Sequence, residues 1–287
     1  RDAPGPRTHR PHPRFDSPWC HSLQSPSFFC NLCLVLCVAK QLVVGNWKMH
    51  GSVGQIRSVL PELVRAELGA NVAVCVPYPY LSLAKSLLAD TPIQLGAQDL
   101  CEHHIGAYTG EVSGAMLADV GCEMVIVGHS ERRNYFAETS ETAARKVKAA
   151  LDAGLWPVYC VGETQQQRAD GVARDVIADE LKVLAGVPTS LYAVAYEPSW
   201  AVGTGVVATP EQIAEMHAFI KQTLSPHTCV LYGGSVKGTN AAQTMATEGV
   251  DGVLVGGAAL SATEFFTDLS RSTLKKMKPC AASKPAA

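Results

Sequence analysis

The sequence predicts an α/β fold, a single closed barrel of eight parallel strands alternating with helices. Two observations predict it. Eight short apolar runs recur from residue 42 onward, and a stretch of helical character follows each. Eight such repeats within 287 residues exceed what an open sheet of that length usually carries, and the composition, 47% hydrophobic, suffices for one large core.

The runs lie at 42–45 (LVVG), 72–76 (VAVCV), 93–97 (IQLGA), 124–127 (MVIV), 156–161 (WPVYCV), 191–196 (LYAVAY), 229–232 (CVLY) and 252–255 (GVLV). None alternates polar with apolar, so each reads as a strand buried on both faces, as parallel strands are. The helical stretches are predicted at 52–68, 80–88, 114–120, 139–152, 170–185, 210–223, 238–247 and 260–269. In the fourth, apolar residues at 143, 144, 147, 150 and 151 form a stripe, Thr139 or Ser140 caps it and Gly154 stops it. In the sixth, Thr209 caps, Pro210 takes the first helical position, and 213, 216, 219 and 220 face the core.

The two ends differ from this middle. Residues 1–38 carry four arginines and two aspartates, and residues 270–287 carry five basic residues and no acid, leaving 15 basic against 24 acidic residues between them. A barrel with a net charge of about −9 argues against nucleic acid as a partner. It does not exclude a small anionic substrate, which responds to the local field. We expect three regions: a 1–38 extension that is disordered or resembles a targeting leader, a 39–270 catalytic barrel, and a basic 271–287 tail. The apolar run at 28–39 is too short to span a bilayer as a helix, so no membrane association is expected.

Of the ten cysteines, Cys75, Cys101, Cys122, Cys160, Cys229 and Cys280 are scattered, mostly near apolar runs, which suits reduced thiols in a cytoplasmic protein. Secretory or organelle targeting by residues 1–39 is the alternative compartment. Cys20, Cys30, Cys33 and Cys37 cluster, but CNLC at 30–33 lacks the second half of a zinc pattern. No metal and no organic cofactor is expected.

In such a barrel the residues after each strand line the mouth where chemistry is housed. Here they include Asn46 and Lys48 after the first strand, His129, Ser130 and Glu131 after the fourth, Glu197 after the sixth, and diglycines at 233–234 and 256–257. Glu197 passes directly into a loop anchored by Pro198 and tipped with glycine, the pattern of a carboxylate beside a lid. Taken singly, a lysine is usually solvated, a histidine usually caps or packs, and a diglycine usually serves a turn. Their placement after successive strands favours a shared site.

The segments GNWKMHG (45–51), VIVGHSERR (125–133), YEPSWAVGTG (196–205), YGGSV (232–236) and LVGGAAL (254–260) resemble the signatures of the triosephosphate isomerase family, in family order, over about residues 40–269. The resemblance implies a TIM barrel that interconverts dihydroxyacetone phosphate and glyceraldehyde 3-phosphate through an enediolate, the chemistry of glycolysis and gluconeogenesis. Glu197 would be the carbon base, His129 the electrophile and proton shuttle, and Lys48 and Asn46 the stabilisers of the oxyanion, supported by Glu131, Ser130 and Cys160. The substrate phosphate would be held by Gly203, Ser235, Gly256 and Gly257. The lid would comprise Pro198, Ser199, Trp200, Ala201, Val202, Gly203, Thr204 and Gly205. The segment 106–113 resembles a loop that enters a second copy in a homodimer, with Thr109, Tyr108 and Gln98 at the interface. Two positions depart from the family pattern: Ser199 stands where valine or isoleucine is usual, and Val206 where lysine is common. A small polar hinge residue is expected to loosen closure or alter its equilibrium. The runner-up readings are another sugar-phosphate barrel, or an idle barrel acting as a binding or scaffold protein. Neither needs Asn46, Lys48, His129 and Glu197 together.

Overall fold

The computed structural model of the chain describes residues 41–66, 70–202 and 206–262. Eight parallel strands close in sequence order: β1 (Leu42–Asn46), β2 (Asn71–Cys75), β3 (Gln94–Ala97), β4 (Met124–Val127), β5 (Trp156–Val161), β6 (Ala193–Tyr196), β7 (Cys229–Tyr232) and β8 (Gly252–Val255). The last strand pairs with the first, Leu42 opposite Gly252 and Gly45 opposite Val255. Gly252 permits the closure, because a Cβ there would lie 1.9 Å from the Leu42 carbonyl oxygen.

Nearly every strand residue is buried, which explains the unbroken apolar runs. Alternate residues separate into two cores. Val43, Val72, Val74, Val125, Val127, Tyr159, Val194, Val230 and Val253 belong to the apolar layer shared with the helices. Val44, Ala73, Ile126, Val158, Ala195, Leu231 and Leu254 alternate with them, are equally buried, and fill the barrel interior.

The described α-helices are α1 (Val53–Arg65), α2 (Leu81–Leu88), α3 (Gly114–Asp119), α4 (Ser130–Phe136), α5 (Ser140–Asp152), α6 (Gln165–Ala169), α7 (Ala173–Leu181), α8 (Pro210–Thr223) and α9 (Gly238–Ala246). Thr139, not Ser140, caps α5, accepting the Thr142 N–H. Thr209 and Gln212 form a reciprocal capping box at the start of α8, with Pro210 in its first turn as expected.

Several expected elements are corrected. The strand expected at 191–196 begins at Ala193, because Pro188 starts a 3₁₀ turn at Thr189–Leu191. The helix expected at 170–185 is interrupted: Asp170 terminates α6, Gly171 turns the chain at φ 75°, α7 follows, and Lys182–Leu184 tightens to 3₁₀. Of the helix expected at 260–269, residues 263–269 lie outside the described residues, and the chain before them forms a 3₁₀ turn at Gly257–Leu260. Helices α4 and α6 were not anticipated. Neither has a buried residue, so neither carries the apolar stripe that reveals a helix in sequence.

Candidate active site

Asn46 ends β1 with its side chain buried, and its Oδ1 accepts the Lys48 N–H at 2.9 Å. That bond helps hold Lys48 at φ 51°, a left-handed conformation that lysine seldom adopts. The Lys48 stem then crosses Gly256, where a Cβ would stand 3.0 Å from Lys48 Cε. Its Nζ lies 2.5 Å from Glu131 Oε1.

After β4 the chain turns at Gly128, φ 72°, and His129 becomes the N-cap of α4. The turn is fixed from below: the buried Glu138 carboxylate accepts the Gly128 N–H at 3.0 Å and also binds Arg132 Nε and Lys146 Nζ. Burial pushes the Glu138 carboxyl up, but Lys146 and Arg132 prevail and hold it below the usual range. His129 Nδ1 accepts the Glu131 N–H at 3.2 Å, which places the ring proton of the neutral imidazole on Nε2. His129 Nε2 lies 3.0 Å from Glu197 Oε1, and the Ser130 N–H donates to Glu197 Oε2 at 3.0 Å.

Glu197 follows β6 and is 2% exposed. The space its backbone needs is left by Gly162, where a Cβ would lie 1.8 Å from the Glu197 carbonyl oxygen. Burial alone would raise its pKa, but the His129 partner and the Ser130 N–H outweigh burial and hold it below the usual carboxylate range. Burial lowers His129 in the same way, and the Glu197 carboxylate overrides it and lifts the ring above its ordinary value. Cys160, on β5, is buried, and burial with the nearby Glu197 charge pushes its thiol well up, so it stays protonated.

The first part of the expected lid is clasped by residues that the sequence did not single out. Glu163, just after β5, is fully buried, and its Oε1 binds Tyr196 Oη, Trp200 Nε1 and Arg168 Nη1, each at 3.0 Å. Glu163 was legible by the rule that found Glu197, a carboxylate at the end of a barrel strand, with only Gly162 between it and β5. Its carbonyl oxygen accepts both the Ser199 N–H and the Ser199 hydroxyl, each at 3.0 Å. The Ser199 side chain thus tethers the hinge in the described arrangement.

Ser199–Ala201 forms a 3₁₀ turn after Pro198, and Ser235 donates its N–H and its hydroxyl to the Ala201 carbonyl at 3.0 and 2.8 Å. Gly203, Thr204 and Gly205 lie outside the described residues.

These groups meet in a cavity of about 470 Å³. Asn46, Lys48, His129 and Glu197 line one part, and Gly233, Gly234, Ser235, Lys237, Gly256 and Gly257 another, with Val202 between lid arm and mouth. Gly233 must be glycine, since a Cβ would fall 2.7 Å from Glu197 Cγ. Glu131, Ser130 and Cys160 support the lining without being part of it. Lys237 was missed because an exposed lysine carries no signal in sequence. Tyr108 and Thr109 are exposed and away from this cavity, Tyr108 stacked on His103, while Gln98 donates to the Cys75 carbonyl at 2.9 Å. Among the described residues no group of three or more His, Cys, Asp or Glu side chains is placed to hold a metal ion, and no helix is long and apolar enough to cross a membrane.

A closed eight-stranded barrel whose carboxyl mouth pairs a buried carboxylate with an imidazole, opposite glycine-rich turns, defines a (β/α)8-barrel enzyme built for proton transfer on a small anionic molecule. Comparison with known proteins narrows the class. The family model described as "Triosephosphate isomerase" matches residues 41–272. The triosephosphate isomerase of Azoarcus sp. (strain BH72) is 48% identical over 234 residues, 78% of this chain and 96% of that protein. That of Herminiimonas arsenicoxydans is 48% identical over 241 residues, 79% and 97% of the two chains. A crystal structure of triosephosphate isomerase from Bartonella henselae superposes with a TM-score of 0.75 at 34% identity, covering 83% of this chain and all of that one. The chain belongs to the triosephosphate isomerase family.

Proposed function

We propose that the cavity at the carboxyl mouth interconverts dihydroxyacetone phosphate and glyceraldehyde 3-phosphate, with Glu197 as the base that moves a proton between the two carbons. The observation that carries this reading is the buried Glu197 carboxylate on His129 Nε2, in one cavity with the glycine turns.

Glu197 removes a proton from the carbon beside the carbonyl, leaving an enediolate, and returns it to the neighbouring carbon. To do so it must release His129 and Ser130, and both changes raise its basicity, because the strongest opponents of burial are then gone and the Lys48 charge remains. His129 loses the carboxylate that lifted it at the same moment. Burial and the Lys48 charge remain and favour the neutral ring against the weaker pull of the Glu131 carboxylate, and Nδ1 still accepts the Glu131 N–H. The imidazole therefore presents Nε2–H to the substrate oxygens as a neutral donor. The Lys48 ammonium and the Asn46 amide stabilise the developing oxyanion; such preorganised donors contribute roughly 10²–10³-fold each. Glu131 holds Lys48, and the protonated Cys160 thiol packs against the base without competing for its proton.

The phosphate takes no part in bond making, and its binding energy serves positioning and closure. The N–H groups of Ser235, Gly256 and Gly257 are its donors, with Gly203 added from the lid. The Ser235 N–H and hydroxyl are both given to the Ala201 carbonyl in the described state, so phosphate binding and release of the lid arm are coupled through this pair of hydrogen bonds. Water exclusion by that arm protects the enediolate from loss of phosphate. No step requires a metal or an organic cofactor.

The chain acts as a homodimer in this reading. Met49, Ile105, Tyr108, Tyr135 and Phe136 are exposed on the segments after β1, β3 and β4, apolar side chains that a second copy would cover. The loop carrying Thr109 and Tyr108 is closed at its base by the Cys101 N–H on the Val112 carbonyl at 2.8 Å, and Gln98 braces its root; Thr109 would reach toward a second copy's mouth.

The test is isomerisation of glyceraldehyde 3-phosphate by the purified chain. Turnover at ordinary enzymic rates supports the reading, and its absence from a folded protein refutes it.

A further inference from the structure

The cavity must attract a dianion, yet its charges nearly cancel. Lys48 lies 2.5 Å from Glu131, and Glu197, itself a carboxylate, lines the same wall. Lys237 is different. It follows Ser235 and Val236 on the turn after β7, lines the cavity beside Gly256 and Gly257, and makes no ion pair with any described residue. Its stem is exposed at the N-cap of α9, so the ammonium costs little desolvation until a ligand arrives.

We infer that Lys237 is a second, specificity-determining cation of the mouth beside Lys48, selecting substrates and inhibitors that carry a phosphate dianion. The inference rests on the proposed phosphate site and adds to it a side chain that acts by charge, beside donors that act by backbone N–H. Backbone donors bind any compact anion at short range, whereas an unpaired ammonium acts across several ångströms of focused field and falls with ionic strength. A lysine suits this role better than an arginine fork where a mobile point charge meets a phosphate already gripped from the backbone.

The experiment compares the whole protein with Lys237→Met, which keeps the stem and removes the charge, and Lys237→Arg, which restores a charge. Three quantities are read: the ratio of kcat/KM for glyceraldehyde 3-phosphate to that for unphosphorylated glyceraldehyde, the inhibition constant of inorganic phosphate, and the slope of kcat/KM against ionic strength. The inference predicts that Lys237→Met lowers the ratio and weakens phosphate inhibition by roughly tenfold each, with a flatter salt slope, mostly through KM, and that Lys237→Arg recovers much of both. A Lys237→Met protein with unchanged ratio and unchanged phosphate inhibition overturns it, as does an equal loss on both substrates, which would mean a structural role. If the parent chain proves inactive, the proposed reaction fails, and calorimetric titration of inorganic phosphate into the parent and Lys237→Met chains still decides this inference: equal affinity overturns it.

Discussion

Two buried histidines show how environment decides what a residue does. His129 has both ring nitrogens engaged, one by a backbone N–H and one by a carboxylate, and it faces a cavity. His217, on α8, places Nδ1 3.2 Å from the Gly249 carbonyl, while Nε2 is buried with no partner among the described residues. Burial, opposed by the Gly249 carbonyl and reinforced by Lys221, lowers His217 to about 4. Its folded pKa is thus below its unfolded value of roughly 6.5. The unfolded chain binds a proton that the folded chain refuses, so this contribution to stability is complete above that unfolded value and disappears as the pH falls toward 4. It amounts to roughly 3 kcal/mol at about 1.4 kcal/mol per unit. Urea melts of the parent chain and His217→Gln should show a smaller loss of stability between neutral and acid pH in the variant. Parallel curves would reject the assignment. Nothing in the sequence separates the two histidines except position: His129 directly follows a barrel strand, and His217 lies at a core position of a helical stripe.

Among the elements, those buried on two faces were legible and those buried on none were not. All eight strands are apolar runs because helices cover one face and the barrel interior the other. Helices α4 and α6 lie on the surface at the mouth, capped by His129 and Thr164, and only capping chemistry marks them. The partner of Ser199 was hidden for a related reason. A hinge residue was judged by size and polarity, whereas its effect depends on the Glu163 carbonyl that it faces. A neutral hydrogen bond of this kind contributes roughly 0.5–1.5 kcal/mol. Ser199→Val should therefore release the arm and shift the lid equilibrium toward motion by about three- to tenfold. Trp200, whose indole N–H rests on Glu163, is the natural fluorescent reporter. Identical lid relaxation in the two proteins would exclude the tether.

For the molecule as a whole, the closed barrel brings residues from β1, β4, β6, β7 and β8 to one mouth, which no linear spacing encodes but the strand-end rule recovers. The rule does not reach what lies behind the lining. The buried Asp99, Lys146 and Glu138 charges that support the Gly128 turn are drawn from the β3–α3 connection, α5 and the segment before it. Nothing in the sequence marks any of the three off from a solvated surface charge. The proposed dimer is likewise a matter of surface: the apolar side chains exposed at the rim predict twice the mass of one chain in light scattering at micromolar concentration, and a single-chain mass with full activity would contradict it. Residues 1–40 and 263–287 lie outside the described residues, and the proposed catalysis does not draw on them. The central claim is that Glu197 carries the proton between carbons. Its most direct test is isomerisation of glyceraldehyde 3-phosphate by the parent chain and Glu197→Gln, with inorganic phosphate binding as the control for an intact mouth. We predict that turnover falls by at least roughly 10²–10⁴-fold while phosphate still binds. A Glu197→Gln protein that binds phosphate and turns over at the parent rate would contradict the account.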